Sequence, residues 1–209
     1  MSTPNKKISY KEFHKFEINN FVKIKERLIN TLVDFDIKQL LEVEDISKIL
    51  YQTFKSGKKV IWCGNGGSAS QSDHLAAEFV GRFKLSNRKP LDSISLSSNN
   101  GLITAIGNDY GFEDIFSRQL MACANAGDSL VVLSTSGRSP NVLKAIKVGK
   151  DIGLKVISIF GSKKEEIQKY CDRSINIRSS NTAHIQELQL FIGHLICEYI
   201  DQRIHNEQL

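Results

Sequence analysis

The sequence predicts an α/β fold, a doubly wound parallel sheet of five strands flanked by helices, with N-terminal helices used in oligomerisation. Three observations carry this expectation. Short apolar runs recur along the 209 residues and are mostly separated by helical stretches, the rhythm of a parallel sheet covered on both faces. Gly, Ser and Asn stand at the joints. Two amphipathic patterns precede the first run and carry more apolar stripe than one small domain readily covers.

In chain order, the polar stretch MSTPNKKISY, residues 1–10, reads as a flexible arm, and residues 11–209 read as one domain. Residues 10–35 carry Phe13, Phe16, Ile18, Phe21, Val22, Ile24, Leu28 and Leu32 at mixed three- and four-residue steps, and residues 38–54 repeat the pattern with Leu40, Leu41, Ile46, Ile49 and Leu50. Both are expected to be helices. The five strands fall on KVIWC (59–63), SISL (93–96), SLVVLS (129–134), KVISIF (155–160) and RSINI (173–177). A helix over 140–151 follows the third, and a long helix over 182–205 closes the chain.

Composition narrows the class of function. An apolar share of 41% with 24% charged residues is ordinary for a globular protein. The 28 basic and 23 acidic residues give +5, but Lys and Arg are spread along the chain, so the balance suits an anionic small molecule and points to no nucleic-acid partner. Cys63, Cys123, Cys171 and Cys197 form no CxxC pair, which argues against a zinc ribbon or a disulfide framework and for a reduced, cytoplasmic setting. No apolar stretch approaches the roughly 20 residues that span a bilayer, so no membrane partner is expected.

In such folds ligands sit beyond the carboxyl ends of the strands. CGNGGS, which follows the first strand and opens a helix, offers backbone N–H groups and a positive dipole end. STSGRS, residues 134–139, offers four hydroxyls at the start of another helix. Each loop alone can be a tight turn or an N-cap, but the pair describes a phosphate pocket. Without a Walker-type Lys, that pocket suits a phosphate monoester that is gripped rather than transferred. His74 and Glu78, four residues apart, project about 40° from each other on one helix face just beyond the first loop. Gln186 and His194, eight apart, lie within about 80° on the last helix. These pairs are either exposed helix-surface pairs, an acid and a base for proton shuttling, or ligands of a divalent metal such as zinc. Arg82 and Asp109 are further polar candidates, with surface ion pairing as the plainer alternative.

CGNGGSAS, DHLAAEFVGRF, AIGNDYGFEDIFSRQ, STSGRSPNVLKAI and TAHIQELQLFIGHLICEYID resemble the phosphoheptose isomerases of the sugar isomerase (SIS) domain superfamily from about the first helix to the C-terminus. The resemblance implies conversion of D-sedoheptulose 7-phosphate to D-glycero-D-manno-heptose 7-phosphate, the first step toward heptose for lipopolysaccharide, capsule or surface glycoprotein. It also implies a cytoplasmic homotetramer with active sites at subunit interfaces. Carried over residue by residue, Glu78 matches the base and His194 the acid, and His74, Glu78, Gln186 and His194 match a set that binds one zinc per subunit in some members. Asn65, Gly66, Gly67 and Ser68, together with Ser134, Thr135, Ser136, Ser139 and Gln186, match substrate and phosphate contacts, and Arg82, Asn108 and Asp109 match polar residues lining the site. Gln71, His184 and Gln189 stand where the family usually has Asp, Arg and His; none replaces a proposed acid, base or ligand. Relatives that associate with the bacterial replication initiator keep the loops but lack the acid and base, which this sequence retains. An isomerase or regulator acting on another phosphosugar is the remaining alternative.

Overall fold

The computed structural model describes residues 10–161 and 168–207. The expected arm therefore lies, except for Tyr10, outside the described residues. Helix α1 spans Tyr10–Val33 and α2 Ile37–Lys55. Then β1 (Val60–Gly64), α3 (Gly67–Val80), β2 (Ser93–Ser95), α4 (Asn100–Asp109), a 3-10 turn (Phe112–Asp114) and α5 (Ser117–Cys123) follow. The chain continues through β3 (Ser129–Ser134), α6 (Pro140–Ile152), β4 (Lys155–Gly161) and β5 (Arg173–Ile177), and ends in a long helix, α7 (Thr182–Glu207).

The five strands form one parallel sheet, as expected, and lie in the order β2-β1-β3-β4-β5. Every residue of β1 and β3 is buried, so Val60–Cys63 and Leu130–Leu133 are continuous apolar runs rather than alternating ones. The period-2 alternation instead divides them between two cores. Val60, Trp62, Val131 and Leu133 face α2, α3 and α7. Ile61, Cys63, Leu130 and Val132 face the opposite layer, which includes α5 and α6. Strand order reverses between β1 and β3, which puts a ligand crevice beyond their carboxyl ends.

The two N-terminal helices differ in how their stripes are covered. Helix α2 starts in a capping box made by Asp36 and Gln39 and buries Val43, Ile46 and Leu50. The Gln39 amide also donates to the Asn176 carbonyl of β5 at 2.6 Å. In α1, Ile18, Phe21, Ile24 and Val33 are all exposed, Val33 by 74%. Helix α4 likewise buries no residue.

Helices α3 and α7 lie close because Gly193 has no side chain: a Cβ there would collide with the Leu75 isobutyl group. Gly193→Val is therefore expected to lower stability by about 1–3 kcal/mol, the usual cost of overpacking a core. Thermal midpoints at one fixed protein concentration measure it; an unchanged midpoint would show that α3 can back away from α7 at little cost.

Candidate active site

Both loops singled out in the sequence open into the crevice at the strand reversal. After β1 the chain turns through Gly66, whose φ of 57° and ψ of −123° lie outside what a residue with a side chain readily adopts. Gly67 then opens α3 against α7, where a Cβ would collide with the Gln186 amide. Asp36, Asn99 and Asn181 cap other helices with their side chains, whereas α3 and α6 begin without a side-chain cap. In α3, Ser68 N and Ala69 N already donate to the Asn65 and Gly66 carbonyls, and in α6 Pro140 has no N–H and Val142 N donates to Asn141 Oδ1, so Gly67 N and Asn141 N are the first-turn donors left for an anion among the described residues.

The hydroxyls hold this shape. Ser134 Oγ accepts from Gly137 N at 3.0 Å and Ser136 Oγ from Arg138 N at 3.3 Å. Ser68 is turned inward, donating to Gln189 Oε1 at 3.3 Å, while the Gln189 amide donates to the Ile159 carbonyl. Asn65 and Asn141 exchange two amide hydrogen bonds, each 2.9 Å, and so lock the first loop to the start of α6. Asn141 was missed in the sequence, although it stands two residues beyond STSGRS. A cavity of about 290 Å³ opens beside the second loop, lined by Thr135, Ser136, Arg138, Ser179, Ser180, Thr182 and Ile185. Ser139 precedes α6 as its N-cap residue, with Pro140 at the first helical position.

His74, Glu78 and His194 converge from α3 and α7, with one ligand atom from each inside a 4.8 Å span. His74 Nε2 faces His194 Nε2 at 2.9 Å and lies 3.4 Å from Glu78 Oε1. Two imidazole nitrogens and a carboxylate oxygen meeting at one point fit a divalent ion that takes N and O ligands in a small coordination shell. Gln186 sits two turns earlier on α7, its carbonyl accepting from the Gln71 amide. Phe83, also missed in the sequence, stacks on the His194 ring with centroids 5.5 Å apart and planes at 23°. Burial first, and the neighbouring His74 second, hold His194 below the usual histidine range, with Glu78 pulling the other way.

Arg82, beside Phe83, is exposed. Asn108 donates to Asp109 at 2.8 Å, and Asp109 lines a cavity of about 500 Å³ among β2, α4 and α5. Among the described residues no hydrogen bond or ion pair joins Asn108 or Asp109 to the histidine cluster.

A Gly-rich turn and a Ser/Thr-rich turn at the strand reversal of a 2-1-3-4-5 parallel sheet define a SIS-domain protein, and the SIS domain family model matches residues 25–161. A phosphoheptose isomerase of Clostridium acetobutylicum is 38% identical over 95% of this chain and 98% of that protein, and one of Campylobacter concisus is 46% identical over 79% and 87%. The structure of a phosphoheptose isomerase from Francisella tularensis superposes with a TM-score of 0.85 at 32% identity, covering 89% of this chain and 98% of the other. The chain belongs to the phosphoheptose isomerase family. No helix among the described residues is long and apolar enough to cross a membrane.

The depressed His194 pKa has a consequence for the metal-free protein. Between its folded-state value and the ordinary histidine value of about 6.5, the unfolded chain binds more protons than the folded one. Stability therefore rises with pH across that window, and the contribution is complete above it. Thermal midpoints of chelator-treated protein are expected to climb more steeply toward about pH 6.5 than those of His194→Gln. Parallel profiles would show that His194 titrates as an ordinary exposed histidine.

Proposed function

We propose that this chain isomerises D-sedoheptulose 7-phosphate to D-glycero-D-manno-heptose 7-phosphate through an enediol. The observation that carries the reading is the convergence of His74 and Glu78 of α3 with His194 of α7, α3 being the helix that opens at the Gly-rich loop after β1. The phosphate docks on the loops after β1 and β3, with Arg138 and the Thr135 and Ser136 hydroxyls at its rim. That leaves the other end of the sugar for α3 and α7. Glu78 takes a proton from C1, and the C1–C2 enediol forms as His194 donates to the carbonyl oxygen at C2. Glu78 returns its proton to C2, and the O1 hydroxyl gives its proton to His194, leaving an aldehyde at C1 and a hydroxyl at C2. Both side chains end in their starting states.

His74, Glu78 and His194, with Gln186 completing the set, would hold a zinc ion, which when bound supplies a Lewis acid for the substrate oxygens. Residues 11–209 act as one SIS-type unit in the cytoplasm, and the product feeds heptose synthesis for surface polysaccharide. The exposed apolar stripe of α1 supports a homotetramer in which these helices pack across subunits. Sedimentation at micromolar concentration is expected to give that tetramer, and a monomer would overturn the assembly.

The roles of base and acid separate in D₂O. Glu78→Gln is expected to lose about 10²- to 10⁴-fold in turnover and to stop exchange of the C1 hydrogen of sedoheptulose 7-phosphate. His194→Gln also loses turnover but still exchanges C1 while forming little aldose. Both are followed by NMR on folded variants at matched metal occupancy. Persistent C1 exchange in Glu78→Gln would remove Glu78 as the base.

A further inference from the structure

Beyond the acid, the base and the loops, one buried charge touches both helices that carry the chemistry. Arg88 and Asp201 form an ion pair with Nε to Oδ1 at 2.8 Å, and their side chains are only 1% and 6% exposed. Neither residue lies in a loop that faces the crevice. Their surroundings are fully occupied. The Arg88 guanidinium donates to the Phe79 carbonyl at 2.8 Å, to the Lys89 carbonyl at 3.2 Å and to the Glu78 carbonyl. Asp201 Oδ2 accepts from Lys84 N and Leu85 N, each at 2.8 Å.

The placement of these bonds is specific. Glu78 and Phe79 lie in the last turn of α3, whose carbonyls have no partner within the helix. Arg88 supplies partners for two of them, and one belongs to the residue proposed as base. Asp201 lies seven residues beyond His194, on nearly the same face of α7 and about 10 Å along its axis. Its two backbone bonds fold residues 84–85 onto α7, and the preceding residue, Phe83, stacks on His194. One ion pair therefore reaches Glu78 through its own carbonyl and His194 through the segment that packs on its ring.

We infer that Arg88, anchored by Asp201, is a positioning residue that sets the placement of Glu78 against His194. This rests on the proposed isomerase reading for its chemical consequence, and on geometry alone for its structural one. Lysine cannot replace the guanidinium, because an ammonium is a point donor that cannot reach three carbonyls and a carboxylate in a fixed fork. Nor can asparagine replace Asp201: whichever way its amide turns, an NH₂ group faces a donor, either Arg88 Nε–H or the two backbone N–H groups.

The test compares Arg88→Lys and Asp201→Asn with Val156→Ala, a cavity in the opposite core that lowers stability without touching α3 or α7. In the folded variants kcat for sedoheptulose 7-phosphate is expected to fall about 10- to 100-fold, as for a small displacement of reacting groups. KM should stay within about twofold, since the phosphate loops are untouched. The Cε1–H resonances of His74 and His194 should shift in both variants, with His184, near the start of α7 and about 25 Å along it from Asp201, as the remote reference, and should not move in Val156→Ala. A kcat within about twofold of wild type, with unmoved His74 and His194 resonances, would overturn the inference and leave Arg88 as a stability residue only. If Arg88→Lys does not fold, the isosteric Asp201→Asn decides in its place. If the wild-type protein leaves the sugar unchanged, the isomerase reading fails and the resonances alone decide the positioning role.

Discussion

The close approach of α3 to α7 is the constraint on which the site depends. Three contacts fix it along the two helices: Gly67 against the Gln186 amide, Leu75 against Gly193, and Glu78 bridged through Arg88 to Asp201. Gly193 immediately precedes His194, so the point of closest packing and the imidazole are neighbours in the chain. Interiors at near-crystal density resist small displacements, so this packing defines where His74 and Glu78 stand relative to His194 more sharply than loops could. On the proposed reading the chemistry would be carried by rigid elements and the ligand grip left to the turns after β1 and β3.

Those turns solve a different problem. An anion in the crevice needs donors already oriented, because donors that reorganise on binding lose part of their gain to ordering. The Asn65 and Asn141 amides spend their hydrogen bonds on each other, and the Ser134 and Ser136 hydroxyls accept from the backbone of their own loop. These side chains fix the backbone, and Asn141 Oδ1 accepts from Val142 N as well. Arg138, at the rim of the cavity, adds a full positive charge to its lining.

The strands were legible because burial on both faces makes β1 and β3 continuous apolar runs, bounded by glycine and serine joints. The expected bounds for the five strands differ from the observed ones by one residue at most. The loop motifs and the i, i+4 spacing of His74 and Glu78 were legible for the same reason: each is local. Phe83, Asn141 and the Arg88–Asp201 pair were not, because their meaning comes from partners 76 to 113 residues away. No periodicity records that Arg88 reaches the end of α3. Asn108 and Asp109 show the converse: a motif can be recognised while the single chain gives it no bond to the cluster. The exposed faces of α1 and α4 leave apolar surface near the chain's start and beside that motif.

The environment of His194 bears on how one side chain can serve two oxygens. Two protonated imidazoles cannot face each other at 2.9 Å without strong repulsion, so the His74 and His194 nitrogens share a single proton or a bound cation between them. Burial reinforces this by disfavouring the charged ring, and Phe83 covers one face of it. A neutral imidazole has one N–H donor and one acceptor nitrogen, so it can give a proton at one oxygen and receive one from another without a large change in driving force. The Glu78 carboxylate opposes part of this depression. The balance depends on the distance between α3 and α7, so the helix packing that fixes that distance also sets how strongly His74 and Glu78 act on His194.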